Sequence, residues 1–339
     1  MVIKRLGFAC KWIDTSDQIN GIGATDAAKQ LNTRTTTLRW LREQPVAEAQ
    51  TRLQELLVHN TSATLQLIAR VGALAPGRRM VRLSSDLVPA YTAPEWQQFW
   101  AASENKNELQ KRFAQIGELA RALDVRLSFH PGQFTVLASD NPGIVKKSIE
   151  EFEYHADMVR YMGFGQKFQD FKVNIHISGR RGPAGLLEAY AALSSEARNT
   201  ITVENEENSW GLADCLEVAH QIPIVLDIHH HWCREGEYID PHGSQVAKVI
   251  ASWRGVRPTL HYSVSREDVL QAHDASQMPD MQALKRGGFK KAHLRAHSDW
   301  YWNTAVNKWA LQFLENFDIM CESKAKNLAS EQLHNLSLK

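Results

Sequence analysis

Short apolar runs recur along this chain, and helical patterns separate them. Eight runs read as strands: Lys4–Ala9, Met80–Leu83, Arg126–His130, Lys172–Ile177, Thr200–Glu204, Ile222–Ile228, Thr259–Tyr262 and Asp318–Cys321. Their apolar character is nearly continuous, with no clean alternation. That pattern belongs to strands buried on both faces, as in parallel sheets. Between the runs, apolar residues three and four apart predict helices over Val46–Asn60, Ala63–Leu74, Leu109–Leu123, Pro142–Met162, Leu186–Ala197, Gly211–Gln221 and Asn303–Leu314. Pro142 stands just inside its helix, where a missing N–H costs nothing. Repeated strand–helix units make a parallel sheet, and eight of them favour a closed α/β TIM (β/α)8 barrel. No linker, repeat or low-complexity block interrupts residues 1–326, so one barrel domain is expected. The polar segment 327–339 is expected to be a frayed or weakly packed tail.

The ends of these strands carry the chemistry. SFHPGQF, NIHISG, ITVENEEN, VLDIHHH, PTLHYS and DIMCES each finish an apolar run on His, Asp or Glu. The positions are His130, His176, Glu204, Asp227 with His230, His261, and Glu322. In a TIM barrel the active site lies at the C-terminal ends of the strands, so these side chains converge on one mouth. Taken singly, a buried strand-end histidine is more often a hydrogen-bonded core residue, and such a glutamate often caps a helix. Taken together, three carboxylates and four histidines would be costly to desolvate without compensating ions. Divalent metals accept this N/O donor mixture, and a carboxylate such as Glu204 can bridge two of them. Clustered metals suit phosphoryl transfer, and they suit sugar isomerisation as well. Spacing alone does not choose between the two.

Composition narrows the setting. The 339 residues are 43% hydrophobic and 23% charged, ordinary for a globular protein with a buried core. A net charge of +1 argues against a protein that coats polyanions, though a local basic groove is compatible with it. The basic pairs Arg78–Arg79 and Arg180–Arg181 read as solvated loop charges. The four cysteines are widely separated and lack CxxC spacing, which disfavours a disulfide framework or a thiolate zinc site. The sequence shows no signal-peptide pattern at its start and no run long enough to span a membrane. A cytoplasmic protein is expected.

The stretches LGFAC, LSFHPGQF, VNIHISG, ITVENEEN, VLDIHHH, HYSVSRED, RAHSDW and CESKAKN, in this order from Leu6 to Lys326, resemble the UV damage endonuclease family. HPGQ followed by ENxE, DxxH and ExKxK is specific as a set. The resemblance implies a metal-dependent barrel, related to the endonuclease IV class, that nicks DNA 5′ to UV photoproducts and in some members at abasic sites. It implies His130 and His176 as ligands of one ion, with Glu204 bridging to a second completed by Asp227, His261 and Glu322. His230 and His297 would hold a third ion, with His273 as a competitor in an inserted loop. Lys324 matches a family lysine near the site, which makes it a candidate for phosphate contact, and it joins Glu204 and Glu322 as a catalytic candidate. Two or three divalent ions are expected, manganese first, with zinc or magnesium as alternatives.

One position departs from the family pattern. Thr259 stands where members carry a lysine that becomes a ligand on carboxylation, which puts the third site in doubt. Asp299 is a conceivable substitute there. His229 and His231 read as groups that either support the ligands from behind or face solvent.

The family resemblance also assigns a lesion-probing pair to Gln133 and Phe134, and Phe8 replaces a frequent tyrosine at the end of strand one. Trp12, Trp300 and Trp302 would lie above the same face. The expected partner is duplex DNA carrying UV lesions, bound by a monomer, with no membrane involved. The competing readings are an abasic-site endonuclease, a sugar isomerase or epimerase on the same barrel, and a damage-binding protein without turnover.

Overall fold

A computed structural model describes residues 3–13 and 30–338. Eight parallel strands run β1 Leu6–Ala9, β2 Met80–Arg82, β3 Arg126–Phe129, β4 Lys172–His176, β5 Ile201–Glu204, β6 Ile224–Val225, β7 Thr259–Tyr262 and β8 Asp318–Cys321. Their order around the sheet is β6-β5-β4-β3-β2-β1-β8-β7. The strands at the two ends of that order meet through a parallel bridge between Asp227 and His261. The bond is His261 N–H donating to Leu226 O at 3.0 Å. The barrel expected from the strand pattern is therefore present, and its closing seam lies between two of the predicted metal ligands.

Each strand divides its residues by parity, because successive side chains leave opposite faces. On β4, Val173 and Ile175 are buried toward the surrounding helices, while Lys172, Asn174 and His176 point into the barrel. Asn174 reaches Glu204 of β5, and Lys172 reaches His261 of β7 across the interior. The floor of the barrel is an ion network. Asp318 accepts from Arg126 Nη1 at 2.6 Å, Arg257 Nε at 2.7 Å and the Arg5 backbone N–H at 2.9 Å.

Several elements differ from the sequence expectation. The break expected near Thr61 is absent, and one helix spans Val46–Gly72. Thr61 stays helical by donating its hydroxyl to Leu57 O at 2.7 Å. The helix expected over 186–197 is two, Gly182–Ala192 and Ser195–Thr200, separated at Leu193 and the capping residue Ser194. Strand six stops at Val225, because Asp227 caps a helix, Ile228–Glu235, by accepting from the N–H groups of His229 and His230.

The segment read as a weakly packed tail is a helix, Lys326–Ser337, with Ala329 and Leu333 fully buried. It lies against β1, and the Asn327 side chain bonds both N and O of Ile13. Its apolar positions 329, 333 and 336 share one helical face, and a polar composition concealed that stripe.

Candidate metal centre

Glu204, at the end of β5, is the hub of the barrel mouth. It is fully buried, and Asn174 Nδ2 donates to its Oε2. His130 Nε2 lies 3.4 Å and His261 Nδ1 lies 3.0 Å from that same oxygen. Its other oxygen is 3.7 Å from His230 Nδ1. The His176 ring lies beside that of His130, tilted by 47° with ring centres 4.9 Å apart. His261 Nδ1 also lies 3.2 Å from Glu322 Oε1. Asn205 fixes the seam below by exchanging two bonds with the Asp227 backbone, at 2.9 and 3.0 Å.

Ligand atoms within 4.8 Å of one another form two groups among the described residues. One is His130, His176 and Glu204; the other is Glu204, Asp227 and His261. Glu204 belongs to both, the arrangement a bridging carboxylate needs. The donors fit a divalent cation in another respect. Glu204 Oε1, Asp227 Oδ2, His176 Nδ1 and His261 Nδ1 are all buried without a hydrogen-bond partner. Leaving one buried polar atom unpaired costs about 1–3 kcal/mol, and more when it is charged. Orphans gathered at one place are what cation ligands look like in the absence of the cation. These residues can therefore hold metal.

The electrostatics agree. Burial disfavours the charged form of His176 and of His261 and brings each pKa to about 4, so both are neutral donors at neutral pH. Burial works against the Glu204 carboxylate too, but His261 and His176 outweigh it and hold its pKa well below the ordinary range. Asp227 goes the other way: burial pushes it well above its usual value despite His230 nearby. Burial also opposes charge on His230, yet Asp227, Glu204 and Glu207 together raise it to about 9. Glu322 overcomes burial through Arg82, which it pairs directly.

His230 and His297 face the same mouth but belong to neither ligand group. Their ring centres are 6.3 Å apart. His230 Nδ1 lies 3.0 Å from Asn205 O, leaving Nε2 toward Glu207 at 3.8 Å. His297 Nδ1 is 4.0 Å from Glu322. His273 lies elsewhere, half-buried, with Nε2 2.9 Å from Gln277 O. His229 and His231 are both buried, which corrects the surface reading. A helix, not a strand, carries them, and His229 stacks on Trp232.

Thr259 is buried on β7, its hydroxyl without a partner. The amine that does reach His261 is that of Lys172 from β4, with Nζ 3.0 Å from Nε2. Burial lowers the Lys172 pKa to about 7.

The rim residues divide. Gln133 and Phe134 are exposed, and Phe134, at 84%, is the most exposed large hydrophobic side chain among the described residues. Phe8 is 1% exposed, edge-on to Trp12 at 5.9 Å, and packs in the core. The probing role expected of Phe8 calls for an exposed ring, and the structure buries this one among packed side chains. Lys324 is exposed, 3.6 Å from Asp299. Sequence reasoning missed Arg82, Lys172 and Asn174. The last two were detectable, since counting back by twos from His176 along β4 reaches both.

Comparison with known proteins bears on this arrangement. A family model described as UV-endonuclease UvdE matches residues 4–339. Over 264 residues the chain is 28% identical to a UV DNA damage endonuclease of Bacillus cereus (strain B4264), covering 75% of this chain and 74% of that protein. A UV-damage endonuclease of Neurospora crassa is 32% identical over 206 residues, 55% of this chain and 30% of that protein. The crystal structure of SacUVDE matches with a TM-score of 0.69 at 21% identity, covering 98% of this chain and 97% of that one, and so supports the barrel fold. With nearly its whole length matched by the family model, the chain belongs to the UV-endonuclease UvdE family.

Proposed function

We propose that this protein is a DNA repair endonuclease that hydrolyses the phosphodiester bond 5′ to UV photoproducts, with two divalent ions, manganese first among them, at the barrel mouth. The observation that carries the reading is a juxtaposition. A carboxylate–imidazole cluster with orphaned donor atoms adjoins an exposed Gln133–Phe134 pair, only three and four residues beyond the ligand His130. A small-sugar site has no use for an aromatic ring standing free of the fold.

His130 and His176 would hold one ion, and Asp227 and His261 the other, with Glu204 shared and Glu322 beside His261. Bound there, such ions supply Lewis-acid stabilisation of the phosphate and a water of lowered pKa. The chain's own residues do the rest. Asn174 holds the Glu204 carboxylate toward both groups. Arg82 adds a fixed positive charge beside Glu322, where the anionic phosphate would gather negative charge. Lys324, exposed on the loop after β8 beside Asp299, would turn from that carboxylate to meet a phosphate oxygen. Phe134 and Gln133 would enter the gap left by a weakly stacked lesion, where extrusion, a cost of a few kcal/mol in general, is cheaper than in intact duplex. His230 and His297 would form a third, weaker arm of the site.

The direct test is incision of a duplex carrying one photoproduct by manganese-loaded protein, with abasic and undamaged duplexes as parallel substrates. A nick 5′ to the photoproduct is expected, with no cutting of undamaged DNA. Fully metallated protein that leaves the photoproduct strand intact would sink the reading. Faster cutting at the abasic site would move it to the related abasic-site class.

A further inference from the structure

Residues 281–297, MQALKRGGFKKAHLRAH, contain five Lys or Arg (Lys285, Arg286, Lys290, Lys291 and Arg295) and no Asp or Glu. The whole chain nets only +1. A charge run in a loop is usually solvated surface, and three features set this one apart.

Its underside is anchored. Met281 and Leu294 are buried in a satellite apolar cluster with Trp232, Cys233 and Leu270, and Leu284 and Phe289 pack against that cluster. The backbone that carries the cations therefore stands on a fixed support, and binding has only their side chains left to order.

Its charges are free. Lys285, Arg286 and Lys290 are exposed and have no acidic partner within 4.0 Å among the described residues. The acids nearby are engaged: Asp280 caps the helix Met281–Arg286 by accepting from Ala283 N–H, and Glu207 pairs with Arg295 at 2.5 Å.

Its inner end is tied to the metal centre. Lys291 Nζ donates to Glu207 O, and the Glu207 carboxylate lies 3.8 Å from His230 Nε2. His297, two residues beyond Arg295, faces Glu322.

We infer that Lys285–Arg295 is a phosphate-contact rail. It would hold the backbone of duplex DNA beside the barrel mouth through Lys285, Arg286 and Lys290, while Lys291 and Arg295 moor it to Glu207. The inference rests on the endonuclease reading for its partner. It goes beyond that reading in assigning binding, independent of the lesion, to a segment that holds none of the candidate ligands and ends two residues before His297. Phosphate contacts of this kind add affinity equally for damaged and undamaged duplex, and each one contributes about 0.9 to the slope of log affinity against log salt.

The test is the triple variant K285S/R286S/K290S, with K285R/K290R as the charge-preserving control. Binding of the full chain to undamaged duplex and to photoproduct duplex is followed by fluorescence anisotropy across a salt series. The triple variant should weaken both complexes equally, by about tenfold to a hundredfold at low salt, with a slope shallower by about 2 to 3. The control should match wild type, and metal content, melting temperature and the cleavage rate at saturating protein should not change. A triple variant with the wild-type slope overturns the rail even where photoproduct incision is intact. Loss confined to the photoproduct duplex overturns it too, by making these residues lesion readers. Wild-type protein that binds duplex with the steep slope but never incises keeps the rail and overturns the endonuclease reading. Wild-type protein that does not bind duplex overturns both.

Discussion

The two ends of β8 carry two carboxylates with opposite fates. Asp318 opens the strand at the barrel floor, and Glu322 follows it at the mouth. Asp318 meets two guanidinium groups and a backbone N–H, and neither of its oxygens is left wanting. At the mouth, Glu322 is served by one arginine, and its neighbours Glu204 and Asp227 each keep a buried oxygen with no partner. The floor is a finished ion network whose role is to hold strands together. The mouth is an unfinished one, and its deficit is what a cation would fill. Residue type does not separate the two ends, since both are acids beside arginines at a strand terminus. Satisfaction of lone pairs does.

The sharpest way to break this contrast is Glu204→Gln. Because Glu204 serves both ligand groups, bound metal should fall below two per chain, and cleavage should drop about a thousandfold or more, the several kcal/mol that metal positioning supplies. Two tightly bound ions together with wild-type turnover in this variant would contradict the bridging role.

Asp318→Asn attacks the other end. Arg126 and Arg257 lose their shared carboxylate, and stability should fall by about 3 kcal/mol in urea unfolding, with metal content unchanged. If metal were lost while stability held, the division of labour between the two ends would be wrong.

Phe134→Ala touches neither network. Its ring is exposed, so stability should move by no more than about 0.5 kcal/mol. Preference for photoproduct over undamaged duplex should fall by about tenfold or more, the scale of a lost base–aromatic stack of about 1–3 kcal/mol. Undiminished preference would remove Phe134 from damage recognition.

The smallest expected effect is on pH. His176 and His261 have folded pKa values of about 4, below the ordinary 6.5, so the unfolded chain takes up protons first as pH falls. Their contribution to the stability of chelator-treated protein is present above about pH 6.5 and is lost as pH falls through about 4. His230, raised to about 9, runs in reverse: its contribution is intact below about 6.5 and lost as pH rises through 9. Stability measured across pH should therefore peak near neutrality, and His176→Gln should flatten the acid limb. An acid limb as steep in that variant as in wild type would show that other groups govern it.

Much of this was legible in one dimension. The eight strands, their parallel character and the strand-end acids and histidines follow from local patterning, because a strand buried on both faces reads as one apolar run and a change to His, Asp or Glu marks its end. Strand parity predicts that His130, His176, Glu204 and His261 share the barrel interior. Other features depend on what lies opposite. Phe8 occupies a strand-end position much as His130 does, yet it is packed against Trp12 while the HPGQF loop stands clear. The helix Lys326–Ser337 was concealed by composition, because polar Asn327 and Ser330 are buried in it beside Ala329 and Leu333.

The sequence alone determined the barrel, its single mouth and a cluster of N and O donors there, since each depends on residues near one another along the chain. The tertiary structure decided which donors meet, that Lys172 from β4 is the amine that reaches His261, and that the seam closes at Asp227 and His261. It also decided which carboxylates are satisfied. The physical reason is that a pattern along one strand says which way a side chain points, whereas hydrogen bonding, desolvation and ligand geometry are set by atoms brought in from other strands. For this protein those are the atoms that separate a structural acid from a ligand.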